Sequence, residues 1–170
     1  MVTYATLPEQ LRSIERSIAF QANVDVEKTK LFDVMADVEN YPSIFPENFV
    51  SVKILNKTSN SILSLETVKE AGVQITFQVK HTMIPYESHQ ISILDGEAEG
   101  TNIVVWFNDF DVNKTQISAK LDLRLKGIMA PFGIIPDQNI KHAFNTILNG
   151  FIEYLDKFES IKAELIIVEY

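Results

Sequence analysis

Apolar residues near the C-terminus recur at Ile140, Phe144, Ile147, Leu148, Phe151, Leu155 and Phe158. Steps of three and four place these side chains on one face of a helix, so the spacing predicts an amphipathic helix that opens near Pro136 and Asp137 and runs to Phe158 or beyond. Pro136 suits the edge of a first turn, and the Asp137 carboxylate complements the positive end of the helix dipole. From Ile140 to Phe158 the stripe spans about 27 Å at 1.5 Å per residue, the width of a small domain. A helix of that length with several aromatic residues on one side requires a broad apolar surface to cover it.

The strands that supply this surface are written as alternation. Ile14, Ile18, Phe20, Ala22 and Val24 alternate with Glu15, Ser17, Ala19 and Gln21, interrupted on the apolar side by Arg16. Asp25 stands where an N-cap is expected, ahead of a short helix whose apolar face is Val26, Leu31, Phe32, Val34 and Met35. Six further stretches read as strands: Phe49 to Leu55, Ser61 to Lys69, Val73 to Tyr86, Ser88 to Leu94, Asn102 to Val112 and Thr115 to Lys126. Turn residues separate them, including Ala71-Gly72, Asp95-Gly96 and Asn113-Lys114, which predicts an antiparallel meander. The last strand sets Ile117, Ala119, Leu121, Leu123 and Leu125 against Ser118, Lys120, Asp122, Arg124 and Lys126, one covered face and one wet face. The expected class is therefore α+β, a single domain over 1–170 with its core at about 14–158. The arm 1–13 carries no clear pattern, and in the tail 159–170 Leu165 to Val168 fits a longer helix, a strand or a contact with a second copy of the chain.

Composition limits the function classes. A net charge of −8, from 23 acidic and 15 basic residues, argues against nucleic acid and against more than transient contact with an anionic membrane. No run reaches the ~18 apolar residues of a spanning helix, and the first residues lack a basic region followed by an apolar core, so a cytoplasmic protein is expected. With no cysteine, disulfides and thiolate chemistry are absent.

Asp109-x-Asp111-x-Asn113 starts like a calcium loop, but Lys114 and Lys120 stand where the glycine and the final glutamate belong. His81, His89 and His142 lack zinc-site spacing, and no phosphate loop, dinucleotide fingerprint or nucleophile elbow occurs, so neither metal nor cofactor is expected. His81 is the histidine to watch. It shares a strand face with Val73, Ile75, Phe77, Val79 and Met83, so it reads either as a satisfied core histidine or as a polar contact for the head of an apolar ligand. Trp106 and Asn108 are assigned to the same face. The apolar connection Gly127 to Pro136 reads either as packing under the sheet edge or as a gate, with Met129 and Phe132 as adaptable contacts and Ile44 and Phe45 as the opposing lip.

The segment Leu31 to Pro46, LFDVMADVENYPSIFP, resembles the opening of the START-like superfamily, in its polyketide cyclase/dehydrase branch near the coenzyme Q-binding protein and ribosome-association toxin group. The likeness rests on a helix followed by a V-x-x-Y-P-x-F-x-P type corner, here Val38 to Pro46, and the order of elements extends it over most of Ile14 to Phe158. It implies a helix-grip fold, a curved antiparallel sheet wrapped around a long C-terminal helix, with an apolar cavity between them. The function it implies is binding or transport of a lipid, quinone or polyketide-like molecule. The expected lining is Ile44, Phe45, Phe77, His81, Trp106, Asn108, Met129, Phe132, Phe144 and Leu148. The alternative is a cyclase- or hydrolase-like enzyme with His81 as general base, and a third class is an interaction protein acting through the tail.

Overall fold

The computed structural model of the chain describes residues 13–70 and 72–168, with side chains up to residue 159. Strand β1 (Ser13–Val24) leads into helix α1 (Lys28–Ala36), a 3-10 turn at Val38–Asn40 and the single-turn helix α2 (Tyr41–Ile44). Six strands follow: β2 (Phe49–Lys57), β3 (Ser61–Glu70), β4 (Val73–Ile84), β5 (Ser88–Ile93), β6 (Asn102–Asp111) and β7 (Lys114–Lys126). A 3-10 segment at Gly127–Ile134 then delivers the chain to the long helix α3 (Asp137–Val168). All seven strands form one antiparallel sheet in the order β1-β7-β6-β5-β4-β3-β2. This is the expected helix-grip architecture, with each strand within a few residues of its place in the alternation. The arm before Ser13 and the side chains of the tail, including any surface for a second copy, lie outside the described residues.

Two local expectations are corrected. Asp25 is not the N-cap of α1; that position is Glu27, in extended geometry without a side-chain cap. Proline normally disfavours helical geometry in the residue before it. Phe45, before Pro46, obeys at φ −125° and ψ 65°, but Tyr41, before Pro42, is helical at φ −54° and ψ −40°. Burial holds Tyr41 there: its ring is 6% exposed and meets Phe49 and Phe151 edge-on. Its hydroxyl donates to the Met35 carbonyl at 2.5 Å, satisfying an oxygen that α1 leaves free at its end. The corner is thus a helical turn nailed into the core.

The core divides in two. The first cluster joins α1, α2 and the middle of α3 to the sheet, through Leu31, Phe32, Tyr41, Phe107, Ile117, Leu148 and Phe151. The second contains Phe77, Val79, Ala98 and Leu125, flanked by Ile75, Ile91, Ile93, Leu123 and Met129. Among the described residues no α3 side chain belongs to the second cluster. The first turns of α3 stand off accordingly, with Ile140 and Phe144 half-buried and Ile147 50% exposed.

Candidate functional site

Strand pairing determines what the concave face presents. His81 of β4 lies opposite Ile62 of β3 and Ile91 of β5, while Glu66 lies opposite Phe77 and Ser64 opposite Val79. Period-two alternation then puts Ser64, Glu66, His81 and His89 on the side that carries Ile62, Phe77, Val79 and Ile91. All four polar residues are buried, Ser64 and His81 completely.

They form one chain of hydrogen bonds. The Ser64 hydroxyl donates to Glu66 Oε1 at 2.7 Å, and His81 Nε2 meets the same oxygen at 2.6 Å. On its other side His81 Nδ1 lies 2.9 Å from His89 Nε2. Burial, and secondly the electrostatic influence of the neighbouring His81, push the His89 pKa down to about 3, so this ring is neutral near pH 7. An ionised Glu66 can only accept, so His81 Nε2 carries a hydrogen; with His81 neutral, its Nδ1 accepts from His89 Nε2–H. Tyr41 closes the group from the helical side, its ring centroid 6.4 Å from that of His81. Burial, then the neighbouring carboxylates Glu66 and Asp37, raise the Tyr41 phenol above its ordinary value, so it stays protonated.

This polar chain sits between the two apolar clusters. Beyond it the concave face offers Ile75, Ile91, Ile93, Leu121 and Leu123, all half-buried. Met129 packs onto this surface, and its backbone N–H donates to Glu97 Oε2 at 3.2 Å. The concave face thus carries a patch of half-buried apolar side chains with the carboxylate–imidazole chain beside it.

Arg16, the break in the alternation of β1, explains itself here. Its guanidinium donates to the carbonyls of Gly133, at 2.8 Å, and Ile135, and to the Asp137 carboxylate. One side chain thereby ties the edge strand, the 3-10 segment and the start of α3. Further along α3, Gly150 lies so close to Phe45 that a Cβ would come within 2.3 Å of its ring, and Phe45 also meets Phe151 edge-on at 4.9 Å.

The expected lining residues divide. Phe77 and His81 share the inner face of β4, Met129 joins Phe77, and Phe144 stacks on Phe20 at 4.7 Å while Leu148 is buried in the first cluster. Trp106 and Asn108 are corrected: they pair with Ser118 and Gln116 on the outer face, because Val105 and Phe107 take the inward positions of β6. Trp106 rims a separate hollow of ≈ 750 Å³ beside Ser17, Ala19 and Lys120. In the apolar connection Ala130 and Gly133 are buried, as the packing reading expects, whereas Ile128 and Phe132 are 78% and 52% exposed. Ile44 and Phe45 pack in the first cluster and Met129 in the second, so they do not meet as two lips of one gate. Sequence reasoning missed Ser64, Glu66 and His89. The signal was the face Ile62-x-Ser64-x-Glu66-x-Val68, where two polar residues interrupt an apolar row.

Residues 24–151 match the family model described as polyketide cyclase / dehydrase and lipid transport. No curated protein matches the chain. Among solved structures, the Zhui aromatase/cyclase from Streptomyces sp. R1128 aligns at 16% identity and a TM-score of 0.67, over 85% of this chain and 95% of that one. A START superfamily protein from Mycobacterium smegmatis aligns at 14% identity and a TM-score of 0.62, over 85% and 98%. Norcoclaurine synthase from Thalictrum flavum aligns at 10% identity and a TM-score of 0.63, over 91% and 95%. At these identities the likeness is one of fold.

Proposed function

Because this chain belongs to the polyketide cyclase/dehydrase and lipid transport family, we propose that it binds an apolar or amphipathic small molecule between the concave sheet and the first turns of α3. The observation that carries this reading is the second cluster. Its flanking side chains Ile75, Ile91, Ile93, Leu123 and Met129 stay half-buried and no described α3 side chain joins them, although burying such surface is worth roughly 25 cal/mol per Å². A ligand's hydrocarbon body would supply the missing cover. The reading includes a cytoplasmic setting, and among the described residues no helix is long and apolar enough to cross a membrane. The narrower likeness to the coenzyme Q-binding group rests on the Val38 to Pro46 corner alone.

Native mass spectrometry of the purified protein tests the proposal by looking for a co-purified small molecule. Displacement of an apolar fluorescent dye, compared between wild type and Ile91→Asp, locates it. Dye binding that is absent in the wild type, or undiminished in a folded Ile91→Asp variant, overturns the cleft reading.

The Glu66–His81–His89 chain favours a second reading, a cyclase-like enzyme in which His81, oriented by Glu66, moves a proton. Conversion of a bound ligand at a rate that follows one ionisation and is lost in His81→Gln, with binding kept, would select it.

A further inference from the structure

Among the described residues Glu66 accepts twice through one oxygen and not at all through the other. Oε1 takes both the Ser64 hydroxyl and the His81 ring N–H, whereas no described residue donates to Oε2. Yet among the described residues no fully buried side-chain oxygen or nitrogen lacks a hydrogen-bond partner. Both statements hold only if Oε2 reaches open space, and the 6% exposure of Glu66 says that the opening is narrow. Glu66 stands on the concave side, opposite Phe77 of the second cluster.

We infer that the molecule bound in the cleft carries a hydrogen-bond donor, a hydroxyl or a protonated amine, which docks on Glu66 Oε2, and that apolar carboxylates are rejected. The inference rests on the cleft reading and adds the chemistry of the ligand's head. An ionised carboxylate offers acceptor sites only, so a donor satisfies it while a second carboxylate meets like charge in a poorly solvated place. A site built around a buried polar group discriminates strongly, because the wrong partner leaves that group unpaired. Ser64 and His81 orient the carboxylate, so the docking oxygen is fixed before the ligand arrives.

The test is a calorimetric titration at pH 8 with three probes of equal chain length: decanol, decylamine and decanoate. Decanol or decylamine is expected to bind at least about tenfold more tightly than decanoate, the scale of one hydrogen bond to a charged group. In Glu66→Gln the amide oxygen takes over the bonds from Ser64 and His81, turning the NH₂ group toward the cleft, so the preference is expected to vanish or invert. Urea midpoints establish that this near-isosteric variant is folded, and the wild-type series stands without it. Decanoate binding as tightly as decanol, or a preference unchanged in Glu66→Gln, overturns the inference and leaves the cleft intact. If no probe binds at all, the cleft reading fails first and this one with it.

Discussion

His81 and His89 face each other ring to ring, Nδ1 to Nε2 at 2.9 Å, while the far nitrogen of His81 rests on Glu66 at 2.6 Å. Both nitrogens of His81 are therefore committed within the protein, and a proton added to His89 has little solvation to receive it. His89 bears that cost, its pKa lowered to about 3, first by burial and then by His81.

The sign of the pH dependence follows. In the unfolded chain His89 titrates near 6.5, so on acidification the unfolded state binds the proton first. The His89 contribution is constant above about pH 6.5, and stability falls from there toward pH 3 at up to ~1.4 kcal/mol per pH unit. Urea melts at pH 7.5, 6, 5 and 4 should show His89→Gln losing less stability per pH unit than wild type. Parallel curves would show that His89 is not the group responsible.

Tyr41→Phe removes a single hydroxyl and leaves the buried Met35 carbonyl without its donor. A loss of about 1–3 kcal/mol is expected, with an unchanged denaturant slope. A loss below about 0.5 kcal/mol would mean that the carbonyl finds another partner at no cost.

Two phenylalanines on one helix face should differ. Phe151 is 4% exposed and locked against Tyr41 and Phe45, so Phe151→Ala is expected to cost about 3–5 kcal/mol. Phe144 is only half-buried on Phe20, at the margin of the first cluster, and Phe144→Ala should cost about half as much. Equal losses in chemical denaturation would show that α3 covers the sheet evenly along its length.

Arg16→Leu removes the donor shared by Gly133, Ile135 and Asp137. The Asp137 side chain is 62% exposed, so the ion pair adds little and the carbonyl bonds matter more. A global loss of about 1–2 kcal/mol is expected, with faster hydrogen exchange concentrated in residues 127–140. Exchange that rises uniformly instead would assign Arg16 to the core at large.

The fold was readable because its elements repeat. Strand alternation and the stripe from Ile140 to Phe158 persist over many residues, and each repeat reinforces the same assignment. The site was readable only where a polar residue broke such a pattern visibly, as His81 did. Glu66 and His89 belong to different strands, and what joins them to His81 is the pairing register, which periodicity within a strand does not encode. Trp106 and Asn108 went to the wrong face for a related reason: β6 is apolar on both sides through Ile103, Val104, Val105, Trp106 and Phe107, so alternation there has no preferred phase. The N-cap of α1 was misplaced because Asp25 matched a residue preference, whereas backbone geometry selected Glu27.

Gly150 and Arg16 hold α3 at two points. The absent Cβ lets Phe45 press against the helix axis at Gly150, and Arg16 takes the Asp137 carboxylate thirteen positions earlier, about 20 Å away at 1.5 Å per residue. Between them Leu148 is buried while Ile140 and Phe144 are only half-buried, so this stretch of α3 is a beam fixed at both ends.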